Sequence, residues 1–203
     1  MALISIRALS LAKKFGRKMN MLAFRVKLRA GIGTAVVPLQ VDVGFGDALS
    51  VPPEEIIFPV LLGMAAPKLM AYSRETVIAE KLEAIVELGM LNTRFKDYFD
   101  LHYLAHRFSF KGALLSKAIA GTFERRGTAF PAGLPVGLMP TFGNDVAKIR
   151  GWEAFCRKTG TTTEPPTLQA VIQLLVEFLE PPLGAAANVR PFRATWKSNR
   201  WFT

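Results

Sequence analysis

The feature that most constrains the fold of this chain is a two-residue periodicity on both sides of a glycine-rich turn. Residues 22–29 (LAFRVKLR) alternate apolar and polar side chains, and residues 35–43 (AVVPLQVDV) do so again after the turn AGIGT. A period of two is that of a β-strand with one buried face. The pattern therefore predicts a β-hairpin. Pro38 requires an edge or a bulge, because proline lacks the N–H that a strand ladder needs.

Beyond Tyr72 the spacing of apolar residues becomes that of α-helices. Ser73 is a typical N-cap for a helix that Gly89 ends, and Asn92 or Thr93 can start the next one. Further helices are predicted at about 112–125, at 145–158 with Asn144 or Asp145 as the cap, and at 167–180 with Thr167 as the cap and Pro181-Pro182 as the stop. We also predict a short amphipathic helix at 4–14 and an extended segment at 56–62.

This order of elements predicts an α+β fold, with a strand-rich part followed by a helical bundle. The predicted domains are a strand-containing core at 1–70, a helical domain at 71–185 and a basic tail at 186–203. A single hairpin with one short extra strand makes a poor independent sheet. The first domain is therefore expected to be only part of a larger sheet.

Positive charge is concentrated at the two ends of the chain. The net charge is +10, of which residues 1–41 contribute +8 and residues 187–203 contribute +4. Basic ends around a near-neutral body favour contact with polyphosphate or nucleic acid. Solubilising surface charge explains the same composition equally well.

Cysteine content and hydropathy restrict the compartment. The single cysteine, Cys156, excludes an internal disulfide and a multi-cysteine metal site. No run of about 18 uncharged apolar residues occurs, and the opening residues lack the order of a secretory signal. We therefore expect a cytoplasmic protein that does not contact a membrane.

Asp42 is the first acidic residue of the chain, and it lies between two valines in the second strand of the predicted hairpin. A carboxylate in such a strand is costly unless it is hydrogen-bonded, paired or bound to a metal. Alternation places Asp42 on the polar face near the strand end, where carboxylates often hold Mg²⁺. The alternative is a carboxylate that accepts hydrogen bonds from the amides of Gly44 and Gly46.

Three further charged residues lie on two of the predicted helices. Asp97 and Asp100 in KDYFD are three residues apart and share one helical face, and Lys81 lies in AEKLEA. A salt-bridge network with Arg94 and Lys96 is the structural interpretation of the two aspartates, and a mid-helix lysine is most often solvated. His102 and His106, four residues apart, have metal-ligand spacing but no evident third ligand. Phosphate-loop, dinucleotide-binding and serine-hydrolase motifs are absent from the sequence.

Taken together, several stretches resemble one family, the nucleotidyltransferase toxins of the AbiEii/AbiGii abortive-infection type. The stretches are LQVDVGFGDAL, YSRETVIAEKLEAIVELGMLNTRFKDYFDLHYLA, FERRGTAFP and WEAFCRK. The resemblance implies a nucleotidyltransferase-fold core followed by helices. It implies that Asp42 is one of three metal-binding carboxylates, that Lys81 is catalytic and contacts the triphosphate, and that Asp97 and Asp100 are further catalytic carboxylates. It also implies Mg²⁺ as cofactor, an NTP as substrate and an antitoxin encoded nearby as partner.

One part of the family pattern is not found in the sequence. The Gly-Ser and Asp-x-Asp motif should precede the Asp42 strand, yet residues 1–41 contain no Asp or Glu. We therefore expect an N-terminally truncated copy with weak or no activity of its own. In intact relatives the function would be transfer of a nucleotide from an NTP to RNA or protein. Arg25, Lys27 and Arg29 are the predicted RNA-facing residues. The alternative is a non-catalytic remnant or binding module for nucleic acid or a partner protein.

Overall fold

The computed structural model of the chain describes residues 4–9, 22–45, 49–61, 63–160 and 165–203. It divides the chain into two compact units, Met1–Ala48 and Leu49–Thr203. Antiparallel strands precede a set of helices, which confirms the predicted α+β class. The boundary between the units differs from the predicted boundary at 70/71.

The N-terminal unit contains a three-stranded antiparallel sheet in the order β1-β2-β3. Its strands are β1 (Ile4–Leu9), β2 (Leu22–Ile32) and β3 (Ala35–Phe45). Strands β2 and β3 form the predicted hairpin, and Gly33 has the positive φ of 60° that its turn requires. Pro38 lies on β3, an outer strand of this sheet, as a residue without an N–H must.

The register of the hairpin separates two faces. Val26 lies opposite Val41 and Leu28 opposite Leu39, whereas the other face pairs Arg25 with Asp42, Lys27 with Gln40 and Arg29 with Pro38. Directly opposed residues of an antiparallel pair point to the same side of the sheet. The predicted alternation is therefore confirmed, with one apolar and one basic face.

The helix predicted at 4–14 is wrong for the residues that the structure describes. Residues 4–9 form strand β1, which pairs with β2 from Ile4 opposite Ile32 to Leu9 opposite Lys27. The sequence ISIRAL places β-branched isoleucines at a two-residue spacing, which suits a strand. Pairing with the long strand β2 gives the backbone N–H and C=O groups of residues 4–9 hydrogen-bond partners. This long-range contact outweighs the local helical tendency. The remainder of the predicted helix, residues 10–14, lies outside the described residues.

The second unit begins with a two-stranded ribbon and continues as a helical bundle. The ribbon pairs β4 (Glu54–Ile57) with β5 (Lys68–Ala71). The helices are α1 (Arg74–Leu88), α2 (Phe95–Arg107), α3 (Gly112–Arg126), the short α4 (Pro140–Gly143), α5 (Val146–Thr159) and α6 (Leu168–Ala187). A small sheet joins β6 (Phe110–Lys111), β7 (Thr195–Lys197) and β8 (Arg200–Phe202) in that order.

Three helices begin where their capping residues predict. The side chains of Ser73, Asp145 and Thr167 accept hydrogen bonds from the backbone N–H three residues on, at 3.2, 2.9 and 3.2 Å. Each bond satisfies one of the amides that the first turn leaves without a helical partner. Gly89 ends α1 with a φ of 48°, as expected for a glycine C-terminal to a helix.

Helix α6 does not stop at Pro181-Pro182 as predicted but continues to Ala187. The two prolines remove the N–H groups that would bond to the carbonyls of Glu177 and Phe178, four residues earlier. The indole N–H of Trp201 donates to these two carbonyls, at 3.1 and 3.2 Å. The helix tolerates both prolines because a side chain from β8 replaces the missing donors.

Apolar side chains from all the longer helices form one core. Helix α6 is long and apolar enough to cross a membrane by composition, but Val171, Leu175, Phe178 and Leu179 are buried in this core, and their packing accounts for its hydropathy. Trp196, in the predicted tail 186–203, is also fully buried and donates its indole N–H to the Ala105 carbonyl at 2.7 Å.

Candidate functional site

Lys81, Asp97 and Asp100 come together between α1 and α2, and we call them the lysine–aspartate cluster. Lys81 Nζ donates to Asp97 Oδ1 and to Asp100 Oδ2, each at 2.7 Å. The two aspartates lie one turn apart on α2, so a single ammonium group from α1 reaches both. The three residues predicted to be catalytic are therefore neighbours in space, although up to 19 residues separate them in the chain.

Two further cations flank the lysine–aspartate cluster. Arg94 Nε lies 2.7 Å from Asp97 Oδ2, and Lys96 Nζ lies 2.6 Å from Asp100 Oδ2. The five charged groups carry three positive and two negative charges. This local excess of one positive charge favours an anionic ligand such as a triphosphate.

Burial is very unequal within this set of five. The side chain of Asp97 is 5% exposed, that of Lys81 16% and that of Asp100 25%. Burial disfavours the charged form of Lys81, but the hydrogen bonds to Asp100 and Asp97 outweigh it and raise the pKa of the ammonium group above its ordinary value. Lys81 is therefore a cation at neutral pH and cannot serve as a general base.

Carboxylates on α1 hold that helix against α3. Glu80 pairs with both Arg125 and Arg126, and Glu83 pairs with Arg126 at 3.2 Å and accepts from the Thr128 hydroxyl at 2.5 Å. These contacts fix the rotation of α1 and hence the direction of Lys81. Sequence reasoning did not assign roles to these residues, although FERRGTAFP carried part of the resemblance. Two glutamates three residues apart, Glu80 and Glu83, and the adjacent arginines of FERRGTAFP were the sequence features that could have indicated these ion pairs.

The first turn of α2 is positioned by aromatic packing against α5. The Phe95 and Trp152 rings meet edge to face with centroids 6.5 Å apart. A Cβ atom on Gly151 would come within 2.4 Å of the Phe95 ring, so only glycine lets α5 approach this closely. Asn92 supports the same turn, since its side-chain oxygen accepts the N–H of Arg94 at 2.8 Å.

Asp42 lies in the N-terminal unit and has a partner that the sequence did not predict. Arg25 on β2 donates to both carboxylate oxygens, at 2.7 and 3.1 Å, and Gln40 Nε2 is 3.1 Å from Oδ2. The hydrogen bonds from Arg25 lower the pKa of Asp42, and the pair is solvent-exposed. A bidentate cross-strand ion pair therefore accounts for a carboxylate in this strand.

The three residues predicted to contact RNA share one face of β2. The side chains of Lys27 and Arg29 are exposed, while the charge of Arg25 is compensated by Asp42. Hydrogen bonding to Asp42 raises the pKa of Arg25. The basic face therefore presents Lys27 and Arg29 most directly to a ligand.

His102 and His106 lie together on α2, with ring centroids 4.4 Å apart. They line an open cavity of about 460 Å³, whose opposite wall includes Gln173 and Glu177 of α6. Burial, followed by the neighbouring His106, lowers the pKa of His102 to about 4. His102 is accordingly a neutral, partly buried ring at physiological pH.

The described carboxylates do not fit a protein-bound Mg²⁺ ion. Magnesium requires several oxygen ligands at short distance. No group of three or more His, Cys, Asp or Glu side chains with suitable placement occurs in the part of the chain that the structure describes. Both oxygens of Asp97 already lie beside cations, as do both oxygens of Asp42.

Comparison with known families connects this geometry to a protein class. Residues 5–174 match the family described as nucleotidyl transferase AbiEii toxin, type IV TA system. The match includes Asp42 and the whole lysine–aspartate cluster. The chain belongs to the AbiEii toxin family. No curated protein and no solved structure matches it significantly.

Membership of the AbiEii family confirms the resemblance found in the sequence. It supports a nucleotidyltransferase-like role in a toxin–antitoxin system, with a nucleotide substrate and an antitoxin as partner. Nucleotidyltransferases usually work with divalent metal ions. Strands β7 and β8 and most of α6, residues 175–187, lie beyond the matched residues.

Proposed function

We propose that this chain is a toxin component that transfers a nucleotidyl group from an NTP to an acceptor, RNA or protein, at the lysine–aspartate cluster. The observation that carries the proposal is a half-buried lysine from α1 that joins two aspartates of α2, inside residues that match a nucleotidyltransferase family. Structural ion pairs also occur on helices, but a surplus positive charge beside a buried carboxylate is suited to a polyphosphate.

The side chains have distinct roles in this proposal. In the reaction an acceptor hydroxyl oxygen forms a bond to the α-phosphorus, and the bond from that phosphorus to the bridging oxygen breaks, releasing pyrophosphate. Asp100 Oδ2 is occupied by Lys81 and Lys96, so Oδ1 is the oxygen that takes the hydroxyl proton. The three nearby cations stabilise the negative charge on the phosphates. Lys27 and Arg29 would contact an RNA acceptor.

Mg²⁺ enters this proposal as the counter-ion of the NTP. Metal binding by Asp42 stays a prediction, and it would require Arg25 to leave the carboxylate. The proposed partners are an NTP, an RNA acceptor and an antitoxin encoded nearby, and the proposed compartment is the cytoplasm.

The proposal is tested by incubating the protein with α-labelled NTPs, MgCl₂ and total RNA or protein, and measuring label in the acceptor. Asp100→Asn should abolish incorporation, because its amide cannot take the proton. Arg107→Gln, an exposed charge change on the same helix, is the matched control. Equal incorporation by wild type and Asp100→Asn would rule out the assigned base.

A second candidate is a non-catalytic module that binds nucleic acid or a partner protein. It is favoured by one observation, the engagement of Asp42 by Arg25. RNA binding without any NTP binding or label transfer would favour this candidate over the enzyme.

A further inference from the structure

The three cations at the lysine–aspartate cluster differ in how they are held. Lys81 is 16% exposed and is shared by two carboxylates, whereas the side chains of Arg94 and Lys96 are 59% and 73% exposed. Each exposed cation has one carboxylate partner in the cluster: Arg94 Nε lies beside the buried Oδ2 of Asp97, and Lys96 Nζ lies beside Oδ2 of Asp100. The cluster therefore has one half-buried cation and two exposed cations.

This difference determines which cation a phosphate can recruit. Removing Lys81 from Asp97 would leave Oδ1 of a 5% exposed carboxylate without its donor, and breaking a buried ion pair is strongly destabilising. Arg94 Nε lies beside the buried Oδ2 of the same carboxylate, but a guanidinium group has five N–H donors and an ammonium group three, so one ion pair leaves other donors for a second ligand. A phosphate can therefore bind the remaining donors of the exposed Arg94 and Lys96 side chains without breaking either ion pair, while Lys81 stays with the aspartates.

The side-chain chemistry of Arg94 and Lys96 and their position at the start of α2 are also suited to phosphate binding. Arg94 precedes α2 and Lys96 lies in its first turn, so both side chains start from the N-terminal end of the helix. A guanidinium group binds phosphate oxygens in pairs, and an ammonium group acts as a point charge. Phe95, between them, is fixed by Trp152 and Gly151 of α5, so the backbone that carries both cations is rigid.

We propose that Arg94 and Lys96 bind the phosphates of the NTP, and that Lys81 is a positioning residue that holds Asp97 and Asp100. The inference rests on the proposed nucleotidyltransferase function. It moves the triphosphate contact from Lys81, to which the family resemblance assigned it, to the two exposed cations. On NTP binding these cations gain a phosphate partner and keep the carboxylate that each already holds, so the two aspartates stay compensated by three positive charges.

The test is calorimetric titration of the full chain with ATP, GTP, CTP and UTP, each with MgCl₂, and with inorganic tripolyphosphate. Arg94→Gln and Lys96→Gln should each weaken binding about tenfold, the typical contribution of a hydrogen bond to a charged group. Both should also reduce the salt dependence of the affinity. Arg107→Gln and Lys117→Gln, exposed charge changes elsewhere on α2 and α3, are the controls and should bind as wild type does.

Charge-conserving variants separate contact from positioning. Arg94→Lys and Lys96→Arg should recover most of the lost affinity. Lys81→Arg should lower kcat of label transfer while KM for the NTP stays unchanged, whereas Arg94→Gln and Lys96→Gln should raise KM. If the wild type binds but Arg94→Gln and Lys96→Gln bind equally well, the inference is overturned and the proposed function survives. If the wild type binds none of the five probes, both are overturned.

Discussion

The N-terminal sheet and the helical unit differ in how they use their apolar side chains. On the hairpin face of β3, Val37, Leu39 and Val41 remain 43%, 43% and 47% exposed, whereas Ile78, Leu82 and Ile85 of α1 are completely buried. The described part of the first unit is a single sheet, and one layer cannot cover its own face. Helices α1, α2, α3 and α6 instead enclose a core from several sides. A two-residue periodicity specifies a strand, but burial of the apolar face of that strand requires a second layer of secondary structure.

The largest expected effect compares truncation in the two units. Leu82→Ala should lower the free energy of unfolding by about 3 kcal/mol, because it creates a cavity in a close-packed core. Val41→Ala should lower it by less than about 0.5 kcal/mol, because its side chain is already half in water. Chemical denaturation monitored by circular dichroism measures both. Equal costs at the two sites would mean that the β3 face is covered in solution.

A second comparison concerns the prolines of α6. Trp201→Phe should cost about 1–3 kcal/mol, because the carbonyls of Glu177 and Phe178 lose their donor while the ring packing is kept. Adding Pro181→Ala to Trp201→Phe should recover part of the lost free energy of unfolding, because it restores an N–H donor to the Glu177 carbonyl. A double-mutant cycle on Pro181 and Trp201 measures the coupling. Additive effects of the two substitutions would show that Trp201 does not compensate for the donor that Pro181 lacks.

The helical unit should also lose stability in mild acid through His102. Its pKa is lowered to about 4 in the folded chain, so the folded state favours the neutral ring. This contribution is complete above the unfolded pKa of about 6.5 and is lost as the pH falls from there towards about 4. At pH 5 the loss is about 2 kcal/mol.

Urea denaturation at pH 7.5 and pH 5.0 tests this expectation. His102→Gln should reduce the difference in unfolding free energy between the two pH values, even if it shifts both. His106→Gln should retain most of the difference, because burial is the main cause of the His102 shift. An unchanged pH difference in His102→Gln would show that groups other than His102 account for the loss of stability in acid.

The smallest expected effect distinguishes the cations on the basic face of β2. The pair Lys27→Gln and Arg29→Gln should weaken RNA binding and lower its salt slope by about 1–2, as expected for the loss of two phosphate contacts. Arg25→Gln should change the slope less, because Asp42 already compensates that charge. Fluorescence anisotropy over a range of salt concentrations measures the slopes. Identical slopes for all variants would exclude this face as an RNA surface.

Much of the candidate site could be anticipated from the sequence, although its detailed geometry could not. The spacing of Asp97 and Asp100 placed them on one helical face, and the resemblance added Lys81. The packing of α1 against α2 then brought Lys81 Nζ to 2.7 Å from both aspartates. No local pattern reports which helices pack together or how they rotate. For the same reason the arginines that hold Glu80 were not assigned.

Local chemistry sufficed wherever the partner of a residue was only a few positions away. The turn at Gly33, the caps at Ser73, Asp145 and Thr167 and the alternation of β2 and β3 were all determined by the sequence itself. Tertiary structure decided the features that depend on distant partners. Residues 4–9 became a strand because β2 pairs with them, Asp42 is held by Arg25 17 residues away, and α6 passes two prolines because Trp201 bonds to its carbonyls. A buried backbone carbonyl or a carboxylate in a strand needs a hydrogen-bond donor, but only the fold determines which donor reaches it.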